Sequence, residues 1–233
     1  MFDHVTIRVS DHGASRRFYG EALGLPTSDG EYVEWDSFSL VPDGETTRGL
    51  HLGFGVADRD AVDAWWLRMT GEGYESDGEP GWRPEYGDSY YGAFVLDPDG
   101  NSVEAMCHAG SRIGLDHVWL RTRDVAAERA FYETIAPVVG LRLVHDAPDT
   151  IRFTDGDGSF TFTAGDEPTQ NVHLAFAVPD FATVQRFHEV ATAAGYVDNG
   201  VPGERPEYHP GYHGAFVLDP DGHNVEAVFH DRA

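Results

Sequence analysis

The sequence predicts an α+β chain built from two tandem domains, 1–110 and 114–233, and three observations predict it. The phrase "YYGAFVLDPDGNSVEA" at 90–105 returns as "YHGAFVLDPDGHNVEA" at 212–227, identical at thirteen of sixteen positions. Other phrases recur in the same order: "FDHVTIRVSD" (2–11) answers "LDHVWLRTRD" (115–124), and "HLGFGVAD" (51–58) answers "HLAFAVPD" (173–180). Their offsets are 113 and 122, so the second copy carries a nine-residue insertion in its middle. Within each copy, short strand-like stretches outnumber helical ones by three or four to one, and the order of elements itself repeats.

Taken in order, an alternating strand at 2–9 leads into a helix through "RRFYGEALG", which the glycine ends. Short strands follow around "YVEW" and "SFSLV". A second cycle opens with "HLGFGV", continues through a helix at "AVDAWWLRM", and closes with two strands. Apolar runs flank the "DPDG" between those strands, and Pro-Asp-Gly is turn chemistry, so this stretch is read as a hairpin. A calcium loop is excluded because Ser102 and His108 stand where its Gly and Glu would be. "AGSRIG" (109–114) reads as the linker. The second copy repeats the scheme, with helices near 125–139 and 181–194. Each domain is thus two βαβββ units.

Composition narrows the function. Forty acidic residues against sixteen basic ones give a net charge of −24, which repels phosphate backbones and anionic lipid surfaces. No nucleic acid and no membrane is expected as a partner. The opening residues show neither a basic leader nor a signal-peptide core, so the expected compartment is the cytoplasm. Cys107 is the only cysteine, so a metal would be held by His and carboxylates.

Side chains alternate across a strand. That puts His4 with Thr6 and Arg8, and His117 with Trp119 and Arg121, opposite the packing face. His51 lies beside Gly53 and Gly55, and His173 beside Ala175 and Ala177, which leaves room for a ligand. Glu104 and Glu226 occupy the same polar face of the last strands. Each domain therefore sends two His and one Glu to the side of its sheet away from the helices. Two imidazoles and a carboxylate suit Fe(II), Mn(II), Zn(II) or Ni(II). Cys107 faces the other way and reads as core filler.

These phrases, "DHVTIRVSD", "FYGEALGL", "HLGFGV" and "DPDGNSVEA" with their second copies, resemble the vicinal oxygen chelate superfamily over essentially the whole chain. That group includes glyoxalase I, extradiol dioxygenases, fosfomycin- and bleomycin-resistance proteins and methylmalonyl-CoA epimerase. The resemblance implies paired βαβββ modules forming a curved half-barrel sheet around a divalent metal. It carries ligand roles onto His4, His51 and Glu104 in the first domain, and onto His117, His173 and Glu226 in the second. Glyoxalase I adds a Glu where this chain has about Ser39 and Thr161, which argues against glyoxalase activity. Two tandem domains with His-His-Glu are similar to extradiol dioxygenases, although their acid/base His has no counterpart between His145 and His173. Six intact ligands argue against metal-free drug binding.

The repeated phrase is framed by Arg83, Tyr86, Tyr90 and Tyr91, and by Arg205, Tyr208, His209, Tyr212 and His213. Tyr or His beside a Lewis-acid metal can move a proton, so Tyr90, Tyr91, Tyr208, His209, Tyr212 and His213 are the catalytic candidates. Arg83, Arg205, Arg8 and Arg121 are the candidates for holding an anionic substrate. His209 aligns with Gly87 and His213 with Tyr91. The second domain is therefore expected to carry the faster chemistry, with His213 leading unless a bulge turns it to the packing face. The reading is a metal-dependent enzyme acting on a small oxygen-chelating substrate, with dioxygenase-like ring cleavage and Fe(II) favoured over Zn, Ni or Mn. The alternatives are a lyase or isomerase, a metal-dependent thiol transferase, or a protein that sequesters a small molecule such as an antibiotic. A homodimer is compatible with it.

Overall fold

A computed structural model describes residues 2–231. The first half runs β1 (Phe2–Arg8), α1 (His12–Leu23), β2 (Val33–Trp35), β3 (Phe38–Val41), β4 (His51–Gly55), α2 (Arg59–Gly71), β5 (Ser76–Trp82), β6 (Tyr91–Leu96) and β7 (Ser102–Cys107). The second runs β8 (Gly114–Thr122), α3 (Val125–Val139), β9 (Arg142–Ala147), β10 (Thr150–Thr154), β11 (Ser159–Ala164), β12 (His173–Ala177), α4 (Phe181–Ala193), β13 (Val197–Glu204), β14 (Tyr212–Leu218) and β15 (Asn224–His230). The α+β class and the tandem βαβββ order are as the sequence predicts. β5 and β13, rich in Gly and Pro, are strands the pattern alone does not reveal. No helix among the described residues is long and apolar enough to cross a membrane.

The four helices among the described residues start the same way. Asp11, Asp58, Asp124 and Asp180 cap them, each accepting a hydrogen bond from the backbone amide three residues on. Such a cap satisfies one of the amides that the first turn leaves without a partner. α1 and α3 end at Gly24 and Gly140, both at positive φ, which a side chain would resist.

The chain forms two compact units whose boundaries are not those of the sequence repeats. The His4 unit consists of Met1–Thr6 with Arg121–Ala233, and the His51 unit of Ile7–Leu120. β1 lies antiparallel to β12, with Val5 opposite Leu174, and β8 lies antiparallel to β4, with Val118 opposite Leu52. Each repeat has thus given its first strand to the other repeat's second module. The sequence cannot reveal this, because "FDHVTIR" and "LDHVWLR" have the same alternation and either would fit either edge.

In the His4 unit the order β13-β14-β15-β12-β1 places a parallel pair, β12 and β15, at the centre. The order β5-β6-β7-β4-β8 does the same in the His51 unit, with β4 parallel to β7. One face of each sheet carries the core. Phe18, Tyr19, Phe38, Val62 and Met69 are fully buried in the His51 unit, and Phe131, Tyr132, Phe160, Phe176 and Phe187 in the His4 unit. The "DPDG" stretches are hairpin turns: Asp97 accepts from the amides of Asp99 and Asn101, and Gly100 takes positive φ.

Candidate metal centres

In the His4 unit, three side chains converge from β1, β12 and β15. Nε2 of His4 and Nε2 of His173 lie 3.1 Å apart, and Oε2 of Glu226 is 3.1 Å from the second and 3.8 Å from the first. The far side of each ring is held. Asp3 takes the Nδ1 proton of His4 at 2.8 Å, and the Asn224 amide meets Nδ1 of His173 at 2.7 Å. Asp3 is also bonded to His230, 2.9 Å away, and His230 to His209 at 2.9 Å. The Tyr212 hydroxyl donates to Oε1 of Glu226 at 2.8 Å.

The His51 unit repeats this with residues from β4, β7 and β8. Nε2 of His51 and Nε2 of His117 are 3.1 Å apart, and Oε2 of Glu104 lies 3.2 and 3.4 Å from them. Asp116 holds Nδ1 of His117 at 3.1 Å, and Ser102, itself bonded to Asp77, holds Nδ1 of His51 at 3.1 Å. The Tyr90 hydroxyl donates to Glu104 at 3.0 Å.

This geometry corrects the grouping expected from the repeats. His4 lies with His173 and Glu226, and His117 lies with His51 and Glu104, because the two first strands are exchanged. The residue types and the polar face are as expected; the partners are not.

The donor set fits a divalent cation. A carboxylate on Nδ1 of His4 and of His117 leaves the Nε2 lone pair directed inward, and in each trio the ligand atoms lie within 4.8 Å of one another. In the metal-free chain a proton bridges the two ring nitrogens of each trio, which lie 3.1 Å apart. Burial opposes charge on His117, yet its bonds to Asp116 and Glu104 outweigh that and push its pKa up to about 9. A proton there stands in for positive charge. Glu104 Oε1 remains buried without a protein partner among the described residues. The two carboxylates differ. Burial pushes Glu226 up to about 7, whereas in Glu104 the bonds from His117 and His51 overcome burial and hold the carboxyl below its usual range.

Two glycines make the carboxylates fit. A Cβ on Gly92 would meet Oε1 of Glu104, and one on Gly214 would meet Oε1 of Glu226. Neither has positive φ, so each is Gly for space alone.

The framing residues divide. Tyr90 and Tyr212 touch the ligand carboxylates, and burial holds both phenols far above their usual range, so they act as donors. Tyr208 stands at the rim, 4.8 Å from Tyr212 by ring centroids. His209 is tied to the centre through His230 and Asp3, and its ring lies 5.4 Å from that of Tyr212. His213 and Tyr91 point the other way, to the helices. The β14–β15 register is unbroken, so with Tyr212 on the metal face His213 must turn from it. It packs 4.9 Å from Phe181, while Tyr91 donates to Asp63 of α2 at 2.8 Å. The expectation that His213 leads proton transfer is therefore corrected. Arg83 and Arg205 spend donors on backbone carbonyls and lie over Phe94 and Phe216. Arg8 and Arg121 lie against the loop glycines Gly44 and Gly165.

Sequence reasoning missed Asp3 and Asp116. Strict alternation puts Asp3 on the packing face, but the β1 ladder slips between Phe2 and His4, which brings its carboxylate round to His4. β8 slips likewise, between the pairs Gly53–His117 and Phe54–Leu115. The repeated "DH" was the available signal.

The family model described as Glyoxalase/Bleomycin resistance protein/Dioxygenase superfamily matches residues 1–105 and again 114–227. Among solved structures, glyoxalase I from Zea mays is similar at 23% identity and a TM-score of 0.71, covering 98% of this chain and 92% of that one. A putative dioxygenase from Bacillus subtilis subsp. subtilis str. 168 is similar at 14% identity and a TM-score of 0.69, covering 100% and 86%. At these identities the likeness is one of fold. No curated protein matches the chain. With both repeats matched and the two His-His-Glu trios in place, the chain belongs to the glyoxalase/bleomycin resistance protein/dioxygenase superfamily.

Proposed function

We infer that the protein is a divalent-metal-dependent enzyme acting on a small molecule that offers neighbouring oxygens, with His4, His173 and Glu226 holding one metal and His51, His117 and Glu104 another. The observation that carries this reading is the pair of buried trios whose outward ring nitrogens are already engaged by Asp3, Asn224, Asp116 and Ser102. Each trio has three His and Glu ligands among the described residues, which leaves coordination positions for substrate. A bound divalent metal would supply Lewis acidity to the substrate oxygens.

The chain's own residues do the rest. Tyr90 and Tyr212 fix the ligand carboxylates, and Tyr86 and Tyr208 stand at the rims as donors to a substrate. Ring cleavage of the extradiol type, with Fe(II), is the favoured reaction, because a three-ligand set without the added Glu, with Ser39 and Thr161 in its place, matches that branch of the resemblance. A net charge of −24 supports a small-molecule partner over nucleic acid.

Anaerobic purification with elemental analysis, then oxygen uptake against a panel of catechols, tests this. Iron with uptake is the expected result. Zinc, nickel or manganese without uptake would move the reaction to lyase or isomerase chemistry, and tight binding of drugs by a metal-free protein would overturn the enzyme reading.

A further inference from the structure

The two centres share their ligands but not the wall in front of them. In the His51 unit Trp119 stands directly opposite His51 in the β4–β8 ladder, with ring centroids 6.5 Å apart and nearly perpendicular. Tyr86 reaches over from the turn before β6: its ring is 5.3 Å from Tyr90 and 5.9 Å from Trp119. Phe94 closes the far side, 5.8 Å from His51. The trio thus sits among aromatic faces and edges, and Tyr86 is 48% exposed, so the rim is reachable.

In the His4 unit the equivalent of Trp119 is Thr6, opposite His173 in the β1–β12 ladder. Tyr208 replaces Tyr86, meets Tyr212 and is 59% exposed. Phe216 repeats Phe94, 6.1 Å from His173. Besides Ser102 against Asn224 and Gly87 against His209, the largest change beside the ligands is indole against hydroxyl, on the face that carries the ligands and not on the face that carries the core. An indole there adds a large planar surface that a second planar ring can stack on or meet edge-on, and threonine adds none.

Resting on the metal-centre reading above, we propose that the centres are specialised for different ligands: the His51 centre takes an oxygen chelator attached to an aromatic ring, packed against the touching pair Trp119 and Tyr86, and the His4 centre takes a smaller, non-aromatic one. One chain then carries two specificities on one ligand set.

Benzohydroxamate and acetohydroxamate have the same chelating head and differ only in phenyl against methyl. Their dissociation constants are measured on metal-loaded His4→Ala, which retains only the His51 centre, and on His173→Ala, which removes the same centre by another ligand, for agreement. His51→Ala retains only the His4 centre. The preference for the phenyl probe is expected to be about ten-fold greater at the His51 centre, where stacking adds to chelation. Trp119→Thr, with metal content unchanged, should reduce it to that of the His4 centre, and Thr6→Trp should raise the preference there. Trp119→Phe, a gentler change, should keep part of it. Equal preference at both centres, or a preference that Trp119→Thr leaves intact, overturns the proposal. Should the chain take up no metal, the metal-centre reading fails by itself. The same probes are then titrated against the metal-free chain by quenching of Trp emission: a Trp119-dependent phenyl preference keeps this proposal, and its absence overturns it.

Discussion

The His4 and His51 units are assembled from corresponding segments of the two repeats, and much of what differs between them lies one layer away from the candidate ligands. Behind His4, Asp3 is tied to His230 and through it to His209; behind His117, Asp116 lies 3.9 Å from His108, and Gly87 stands where His209 would be. At the hairpins, Tyr132 reaches Asp219 much as Tyr19 reaches Asp97, but Glu128 fills the place of Ser15, and His223 that of Asn101. His223 accepts the Val172 amide just as Asn101 accepts the Leu50 amide, so one backbone bond survives two side-chain chemistries. Between the two repeats the His and Glu of the candidate trios are kept while the residues that support them differ.

The sharpest way to break one centre while sparing the other is to fill its glycine. Gly214→Ala should push Glu226 aside and weaken metal binding at the His4 centre by about ten-fold or more. Gly92→Ala should do the same at the His51 centre. Overpacking costs roughly 1–3 kcal/mol, so melting is measured beside metal content. A variant that keeps its full metal at normal affinity would show that the carboxylate does not need the space.

Much of this was legible in the sequence, for identifiable reasons. Duplication made His4, His51, Glu104 and their counterparts visible, because a chance strand His does not recur at the same place on the same face. The "DPDG" turn was visible because its residues can do little else. The pairing of His4 with His173 was not, since the two first strands are interchangeable by pattern. Nor was the side taken by Asp3, which a one-residue slip decides. The face of His213 followed only once the β14 register was known, and Arg83 and Arg205 looked available because backbone carbonyls leave no mark in a sequence.

A smaller effect separates the hairpin regions. Burial, with Asp219 and Asp221 close by, raises the pKa of Glu128, and its Oε2 has no protein partner among the described residues. The folded state therefore holds this proton more tightly than the unfolded chain does. Its stability is fully present below the ordinary carboxylate range and is lost as pH rises above it, through neutrality. Glu128→Gln should stabilise the protein by roughly 1–3 kcal/mol at pH 8 and much less at pH 4.5, read from denaturation midpoints. Ser15→Ala, at the matching place, should show no such pH dependence. A Glu128→Gln effect that is the same at both pH values would remove the buried proton from the account.

The smallest effect is expected at His213. His213→Phe exchanges one ring for another against Phe181 and Phe229, so turnover and metal content should change by less than about two-fold. A loss of 100-fold, of the size general acid–base catalysis supplies, would return His213 to the chemistry.

The central claim is that each metal centre draws its ligands from both sequence repeats, and metal counting on paired variants tests it most directly. The wild-type chain should hold about two metals. His4→Ala combined with His173→Ala removes two ligands of one trio and should leave about one metal per chain. His4→Ala combined with His51→Ala removes one ligand from each trio and should leave almost none. If the first pair abolished binding and the second left one metal, the ligands would be grouped by repeat, and the exchange of first strands would be contradicted.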